Sequence, residues 1–155
     1  MATSADQHKF LIEKAADQSI TNSTTLTNDA TLLFAIAANE VWRFTISAPF
    51  NVAGATSGFK MSVNGPTAPT NLRWTAFAIN GVAVATLAAL SANAFATALG
   101  FVVANAGDHI LEVSGTVENG ANAGNVTLQF AQNTLDAVNS VTVRRGALLI
   151  AEKIG

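Results

Sequence analysis

The sequence predicts an all-β fold: an antiparallel sandwich or barrel of about eight short strands, with a two-sheet jelly roll as the preferred architecture. Three observations lead to this class. Apolar and polar residues alternate with a period of two in several segments, and turn signals recur at fairly regular spacing. In addition, Asn80-Gly81, a pair that tolerates the positive φ of a tight hairpin, separates two apolar runs.

The first half of the chain shows this alternation most clearly in residues 41–47, where Trp42, Phe44 and Ile46 fall on one face of a strand. A preceding apolar run at residues 32–37 predicts another strand. The same spacing recurs in Phe59, Met61 and Val63. Further strands are expected at residues 74–79 and 82–86, on either side of the Asn80-Gly81 turn.

The segment at residues 87–99 is ambiguous. Its apolar residues suit one face of a short helix, and Gly100 suits a helix stop, but an irregular crossing segment between strands fits equally well. A turn is expected at residues 104–108. The whole stretch 74–107 contains no charge, yet its turn pair and scattered polar residues argue against a membrane span. We therefore expect no contact with a membrane, and no secretory signal is visible at the start of the chain.

The last third of the chain predicts three strands. The residues expected to face inward in the first two are Leu111, Val113, Val117, Val126, Leu128 and Phe130. The final strand is expected at residues 141–152, with an interruption at Gly146, because glycine within a strand often marks a bulge.

The first 28 residues are polar and mixed, and they predict an extended N-terminal arm (1–28) that precedes a sandwich domain (29–155). Phe10, Leu11 and Ile12 form the apolar cluster of this arm. The cluster either docks on its own domain or lies across a neighbour, and we treat its three residues as candidate partner-binding residues.

Composition favours a protein that sits in an assembly. Half of the 155 residues are hydrophobic and only 12% are charged, compared with about 25% in a typical soluble domain. The net charge of -2 supplies no field for nucleic acid, so none is expected as a partner. Uncharged surfaces that meet other protein explain these values, and the alternative is an ordinary domain with an Ala-rich core.

The inventory of reactive side chains predicts a protein that is not an enzyme, with no catalytic site, no metal and no cofactor. Cys is absent and only two histidines occur, His8 in the arm and His109 beside a turn, where a surface position is expected. A zinc site needs three or four ligands. The spacing of Glu112, Glu118 and Asp136 does not bring any two carboxylates together for glycoside hydrolysis.

Arg144 and Arg145 are adjacent on the last predicted strand, so one of them is aimed inward unless Gly146 bulges the chain. An inward arginine must find a carboxylate or carbonyl groups. In a trimer, that partner could come from a neighbour near the threefold axis. The alternative is a strand-edge charge that deters pairing between sheet edges.

Four segments resemble small structural proteins encoded by tailed bacteriophages. They are residues 18–29 (QSITNSTTLTND), 33–42 (LFAIAANEVW), 111–133 (LEVSGTVENGANAGNVTLQFAQN) and 141–148 (VTVRRGAL). The resemblance covers most of the chain between residues 18 and 152, and its centre is poorly matched. It departs from the pattern at Ala147, where relatives tend to carry Ser.

This resemblance implies a jelly roll of the kind that phages use in capsid decoration, fibre and tail proteins, commonly as trimers, and it brings no catalytic residues. The expected function is that of a trimeric decoration (cement) protein on the capsid surface, made in the host cytoplasm. Its expected partners are sister chains and the major capsid protein or another virion protein. The alternative is a tail or fibre module that binds host-surface glycan, and an enzyme is the least supported class.

Overall fold

The computed structural model describes residues 8–80, 86–102 and 106–155. Within these ranges the chain forms twelve strands and no helix, and hence no helix that could cross a membrane. All strand pairings are antiparallel. In chain order the strands are β1 (Lys9–Glu13), β2 (Gln18–Thr21), β3 (Thr27–Ile36), β4 (Val41–Val52), β5 (Phe59–Asn64), β6 (Asn71–Asn80), β7 (Thr86–Ala92), β8 (Leu99–Phe101), β9 (Gly107–Glu118), β10 (Gly124–Gln132), β11 (Ser140–Val143) and β12 (Leu148–Lys153).

The order of strands in the two sheets confirms the jelly-roll prediction. The smaller sheet has the order β3-β10-β5-β8, and the central part of the larger sheet has the order β4-β9-β6-β7. Renumbering β3 to β10 as strands 1 to 8 gives the order 1-8-3-6 in the smaller sheet and 2-7-4-5 in the larger sheet. That interleaving defines a jelly roll. The described residues form twelve strands where about eight were predicted, and β1, β2, β11 and β12 lie outside the central unit.

Four further strands extend the larger sheet beyond β4. β12 pairs with residues 42–47 of β4, and β11 pairs with residues 50–52. β1 lies on the outer side of β12, and β2 pairs with β11. The expected arm at residues 1–28 therefore contributes β1 and β2 to the sheet, while the domain boundary placed between residues 28 and 29 stays a prediction.

The core between the two sheets is built from the inward rows of alternating strands. The rings of Phe34, Trp42 and Phe44 form a chain in which neighbouring centroids lie 5.5 and 6.0 Å apart. Gly115 faces the same space, and a Cβ atom there would lie only 2.5 Å from Phe44 and 2.8 Å from the Cβ of Trp74. A glycine in the middle of β9 is thus required by the close packing of two aromatic side chains.

The residues that alternation predicted to face inward are buried. Those in question are Trp42, Phe44, Ile46, Phe59, Met61, Val63, Leu111, Val113, Val117, Val126, Leu128 and Phe130, all at 3% exposure or less. The period-of-two pattern therefore identified the core face correctly in these strands.

The segment at residues 87–99 differs from both expected forms in its first half. β7 is a strand that pairs with β6, with Ala92 opposite Trp74, and only residues 93–98 are irregular. Pairing with an available sheet edge outweighs the weak local propensities of this segment. The strand expected at residues 82–86 and the turn expected at residues 104–108 lie partly outside the described residues.

A buried ion pair fixes the segment between β1 and β2. Lys14 Nζ lies 2.8 Å from Asp29 Oδ2 and 3.0 Å from Oδ1, and the two side chains are 2% and 0% exposed. Asp29 Oδ1 also accepts hydrogen bonds from the backbone N–H groups of Thr31 and Leu32. The Lys14 N–H donates to the Ala147 carbonyl at 2.8 Å. These contacts join the N-terminal segment to the start of β3 and to the turn before β12.

The connection between β3 and β4 passes from the smaller to the larger sheet at Glu40. Its carboxylate accepts hydrogen bonds from the Ala37 N–H at 2.8 Å and the Trp42 indole N–H at 2.9 Å, and it pairs with Lys153 at 3.0 Å. Desolvation raises the pKa of Glu40, but these three partners favour the charged form more strongly. Together they lower the pKa to about 2.

We expect Lys14→Met to lower the free energy of unfolding by about 3–5 kcal/mol, because it leaves the Asp29 carboxylate buried without a cation. Urea unfolding at neutral pH measures the change. The matched control is Lys9→Met, since Lys9 pairs with Glu152 at 2.8 Å on the surface, where solvent screens the attraction and its loss should change stability much less. Equal losses in the two variants would contradict the structural role of the buried pair.

Glu40 is expected to make the free energy of unfolding depend on pH. Its pKa is lower in the folded chain than the ordinary value of 4.5 that it has in the unfolded chain. The stability that the Glu40 carboxylate contributes is therefore fully present above pH 4.5 and is lost as the pH falls towards 2. Glu40→Gln should therefore be less stable than the parent at neutral pH, by up to about 3 kcal/mol. The difference should shrink between pH 4.5 and pH 2 in thermal unfolding. Glu118→Gln, which changes an exposed carboxyl group, serves as the control variant. A difference between Glu40→Gln and the parent that stays constant over this pH range would contradict the prediction.

Candidate interaction surfaces

A cluster of charged side chains joins four segments at one end of the larger sheet. Arg144 donates from Nε and Nη2 to Asp108 Oδ1, at 2.9 and 2.7 Å. Asn51 on β4 donates to the same oxygen at 2.9 Å. Arg144 Nη1 also lies 3.6 Å from Asp17 Oδ2, and Asp17 Oδ1 accepts the backbone N–H of Arg145 at 2.8 Å. We refer to Asp17, Asp108 and Arg144 as the ion-pair cluster.

The ion-pair cluster borders a groove of about 860 Å³ that also includes Pro49, His109 and Arg145. The hydrogen bonds from Arg144, followed by that from Asn51, lower the pKa of Asp108. The same contact with Asp108 raises the pKa of Arg144. Asp108 and Arg144 are therefore charged at neutral pH, and the Arg144 guanidinium lies close to the carboxyl groups of both Asp108 and Asp17.

The structure places both candidate arginines outside the strands. β11 ends at Val143, and the chain turns at Gly146, whose φ is +81°. Arg144 finds its carboxylates within its own chain, as expected for an arginine that needs an anionic partner. Arg145 is exposed. Pairing of either arginine with a neighbour in a trimer stays a prediction.

Phe10, Leu11 and Ile12 lie on β1, at the edge of the larger sheet. Phe10 stacks on Trp42 with ring centroids 5.4 Å apart and lies 6.1 Å from Phe34. Ile12 is partly buried against the same core. The Leu11 side chain, in contrast, is 68% exposed. Phe10 and Ile12 therefore pack on their own domain and Leu11 faces solvent, while contact of these residues with a neighbour stays a prediction.

The outer face of the larger sheet, which points away from the smaller sheet, carries exposed apolar side chains. Ile110 on β9 lies directly opposite Ile79 on β6 and Pro49 on β4. Phe77 is two residues from Ile79 on the same face of β6. Phe77, Ile79 and Ile110 are 40%, 42% and 36% exposed, and we call them the apolar patch. Exposed apolar residues that adjoin one another indicate a contact surface, whereas single ones do not.

Glu112 on β9 lies directly opposite Phe77 of the apolar patch. Beyond it, the same face becomes polar. Thr45, Ser114 and Thr75 stand side by side on β4, β9 and β6, and the Thr75 and Ser114 hydroxyls are 3.2 Å apart. Beyond them, Arg43 and Arg73 border a groove of about 630 Å³. Trp74 adjoins this groove but is only 2% exposed, so its ring does not offer a stacking surface.

The other candidate reactive groups have separate structural contacts. His109 is 1% exposed and lies 5.1 Å from the Phe50 ring, so the expectation of a surface histidine is wrong. The register places it on the inward face of β9. Glu112 accepts a hydrogen bond from Ser47 at 2.6 Å, and Asp136 accepts bonds from the Val138 and Asn139 backbone. Within the ranges that the structure describes, no group of three His, Cys, Asp or Glu could hold a metal ion.

The ion-pair cluster is the part of this surface that the sequence did not predict. Its members are far apart in the chain, and no spacing rule connects Asp17 or Asp108 with Arg144. The sequence contained a single indication of it: an arginine directed inward near the end of a strand needs a carboxylate or carbonyl groups as partner. Which carboxylate satisfies it depends on the pairing of β4 with both β9 and β11.

The chain matches no protein-family model and no curated protein sequence. Among solved structures, it is similar to chains of infectious bursal disease virus. For the Gx strain structure the identity is 8% and the TM-score 0.24, covering 96% of this chain and 36% of that one. For the Gt strain structure the identity is 14% and the TM-score 0.23, covering 95% of this chain and 37% of that one. For the VP2 subviral particle the identity is 10% and the TM-score 0.25, covering 95% of this chain and 37% of that one.

The chain therefore spans less than two fifths of the length of these viral chains. At such identities and TM-scores the likeness carries no argument about what this chain does. The class that its own strand order defines is an antiparallel jelly-roll β-sandwich with an extended larger sheet.

Proposed function

We propose that this chain is a structural protein of a virus particle: a bacteriophage decoration (cement) protein that assembles as a trimer and binds the capsid surface. The observation that carries the proposal is the outer face of the larger sheet, where the apolar patch adjoins a row of uncharged hydroxyl groups. Apart from Glu112, which lies opposite Phe77 and accepts a hydrogen bond from Ser47, a protein that covers the patch and the hydroxyl row removes uncharged groups from water, which makes binding less costly.

The mode of action follows from binding equilibria. A decoration protein that binds the assembled shell, and not its separate subunits, stabilises the shell by mass action. The proposal assigns no catalytic role to the chain. It is supported by the jelly-roll strand order and by the four segments that resemble tailed-phage structural proteins.

In this proposal, Arg145 is the residue that contacts a sister chain near the threefold axis. Its side chain is exposed, and its backbone N–H is held by Asp17. The backbone position is therefore fixed while the guanidinium extends towards solvent. Arg144 already has two carboxylate neighbours in its own chain, which makes it the less suitable of the two.

A charge in the apolar patch should weaken capsid binding. We expect Phe77→Asp to lower the affinity for shells that lack this protein by about tenfold or more, because a carboxylate would be buried at the contact. Occupancy of the shells after incubation with each variant is the measurement. Val138→Asp is the matched control, since Val138 is 84% exposed in a loop outside the patch. Wild-type occupancy by the Phe77 variant would contradict this assignment.

Sedimentation of the pure protein tests the trimer. We expect a species of three times the 15.9 kDa chain mass, and we expect Arg145→Glu to shift it towards monomers by charge repulsion from the ion-pair cluster of the neighbour. Arg73→Glu, which changes an exposed arginine on the outer face, should leave the trimer intact. A monomer at all concentrations would remove the trimeric part of the proposal.

A second candidate function is a tail or fibre module that binds host-surface glycan. The groove between Arg43 and Arg73 favours it, because hydroxyl and guanidinium groups there can bond to sugar hydroxyls. Glycan-array binding that is lost in Arg73→Ala, with capsid binding absent, would favour this function over decoration.

A further inference from the structure

Within residues 8–80, 86–102 and 106–155, no strand pairs with the outer edge of β1, and the backbone groups on this edge follow a fixed pattern. β1 is the terminal strand in the order of the larger sheet, with β12 on its inner side. The His8 carbonyl accepts a bond from the Lys153 N–H, and the Lys14 N–H donates to the Ala147 carbonyl. Because backbone direction alternates along an antiparallel strand, residues 10 and 12 also face β12. The N–H and C=O groups of Lys9, Leu11 and Glu13 therefore point away from the sheet.

The sequence of this strand is balanced about Leu11. Lys9 and Glu13 carry opposite charges, lie two residues to either side of Leu11, and are both exposed. Leu11 itself is 68% exposed. All three residues also direct their backbone groups outward, so the side chains and the free hydrogen-bonding groups belong to the same positions.

We propose that β1 pairs edge to edge with β1 of a second copy of this chain, antiparallel and centred on Leu11. In this register, Leu11 faces Leu11 of the second copy across a twofold axis, and Lys9 faces Glu13 on each side. The three outward-facing residues of each strand then form hydrogen-bonded pairs, with about six backbone hydrogen bonds in total. The two larger sheets become one continuous sheet.

Side chains on both faces of the sheet support this register. On the outer face, Glu152 of β12 lies 2.8 Å from Lys9, and Glu13 of the second copy approaches Lys9 from the opposite side. The row thus alternates negative, positive, negative. On the core face, Phe10 lies opposite Ile12 of the second copy, and pairing covers the parts of these half-buried side chains that remain exposed.

The charges select this pairing and oppose others. Lysine on an edge strand usually deters pairing, because identical strands in parallel register place like charges together. Here a parallel pair would set Lys9 against Lys9 and Glu13 against Glu13, and only the antiparallel pair centred on Leu11 makes both contacts attractive. The same residues that guard the edge against other strands therefore specify a second copy.

The contact is small, so its affinity in solution is expected to be weak. It becomes effective where copies are held close together, since linked contacts act at high effective concentration. The inference does not rest on the proposed capsid role. A twofold edge contact joins two monomers into a dimer, and it joins trimers to one another through the three β1 edges that each trimer carries.

Complementary charge variants test the pairing. Lys9→Glu alone places two carboxylates opposite each other at both contacts, and Glu13→Lys alone places two ammonium groups there, so each should weaken self-association by about tenfold. An equimolar mixture of the two variants restores opposite charges at both contacts and should associate as strongly as the wild type. Sedimentation over roughly 10 µM to 1 mM covers the affinity expected for a contact of this size.

A mixture that associates no better than its two components would overturn the proposal, and so would a wild type that never doubles. Thermal unfolding of each variant checks that the fold is intact, because Lys9→Glu also removes the pair with Glu152. If that variant does not fold, Leu11→Pro gives an independent answer. Proline is tolerated on an edge strand where the N–H faces outward, but it removes a central hydrogen bond of the proposed pair.

Leu11→Pro should therefore remain folded and lose self-association, whereas Leu11→Val, which keeps the N–H, should retain it. Wild-type doubling by Leu11→Pro would exclude the edge contact. The mass of Leu11→Pro in sedimentation tests the proposed trimer separately. A variant that sediments as a trimer, without further association, supports both the edge contact and the trimer. A variant that sediments as a monomer supports the edge contact alone.

Discussion

Strand β4 sets the register on which the rest of the structure depends. Its twelve residues pair with β9 along one whole edge, and with β12 and then β11 along the other. Its inward side chains, Trp42, Phe44 and Phe50 among them, are at most 2% exposed. Because a slip of one residue would move this entire set into water, the pairing of three neighbouring strands is fixed together. The terminal strands and the outer face take their positions from this one strand.

Buried polar groups hold the segments that the alternating pattern does not fix. Lys14 and Asp29 join the N-terminal segment to β3. Gln132, which is fully buried, accepts a hydrogen bond from the Ser23 N–H at 3.0 Å and donates to the Asp136 carbonyl at 2.9 Å. Glu40 closes the crossing between the sheets. Each of these groups satisfies backbone atoms where regular strand pairing is interrupted: Asp29 between Asn28 and Leu33 of β3, Gln132 in the loops after β2 and β10, and Glu40 just after β3.

The larger sheet offers two kinds of contact surface. Its outer face presents the apolar patch, which suits another protein surface. Its β1 edge presents backbone groups that pair with no other strand in the part of the chain that the structure describes, and such groups suit another strand. A face contact is limited mainly by shape and apolar area, whereas an edge contact is limited by register and charge. The two surfaces can therefore be tested, and would act, independently. A protein with both could join a larger array without any change in its own fold.

Local sequence was sufficient for the fold class and for the core face of the central strands. Side-chain direction in a strand alternates with the chain itself, so Trp42, Phe44 and Phe130 could be assigned to the interior without knowledge of their neighbours. The sequence also identified Phe10, Leu11 and Ile12 as candidate partner-binding residues, without deciding whether they pack on their own domain or on a neighbouring chain. Strand pairing turns Phe10 and Ile12 towards the core of their own domain and Leu11 outward, while contact of these residues with a neighbour stays a prediction.

Long-range pairing also decided that residues 86–92 form a strand, that His109 is buried, and that Asp17 and Asp108 meet at Arg144. None of these facts is a property of a short segment. Each depends on which strand lies beside which, and that choice reflects the free energy of burying the whole core.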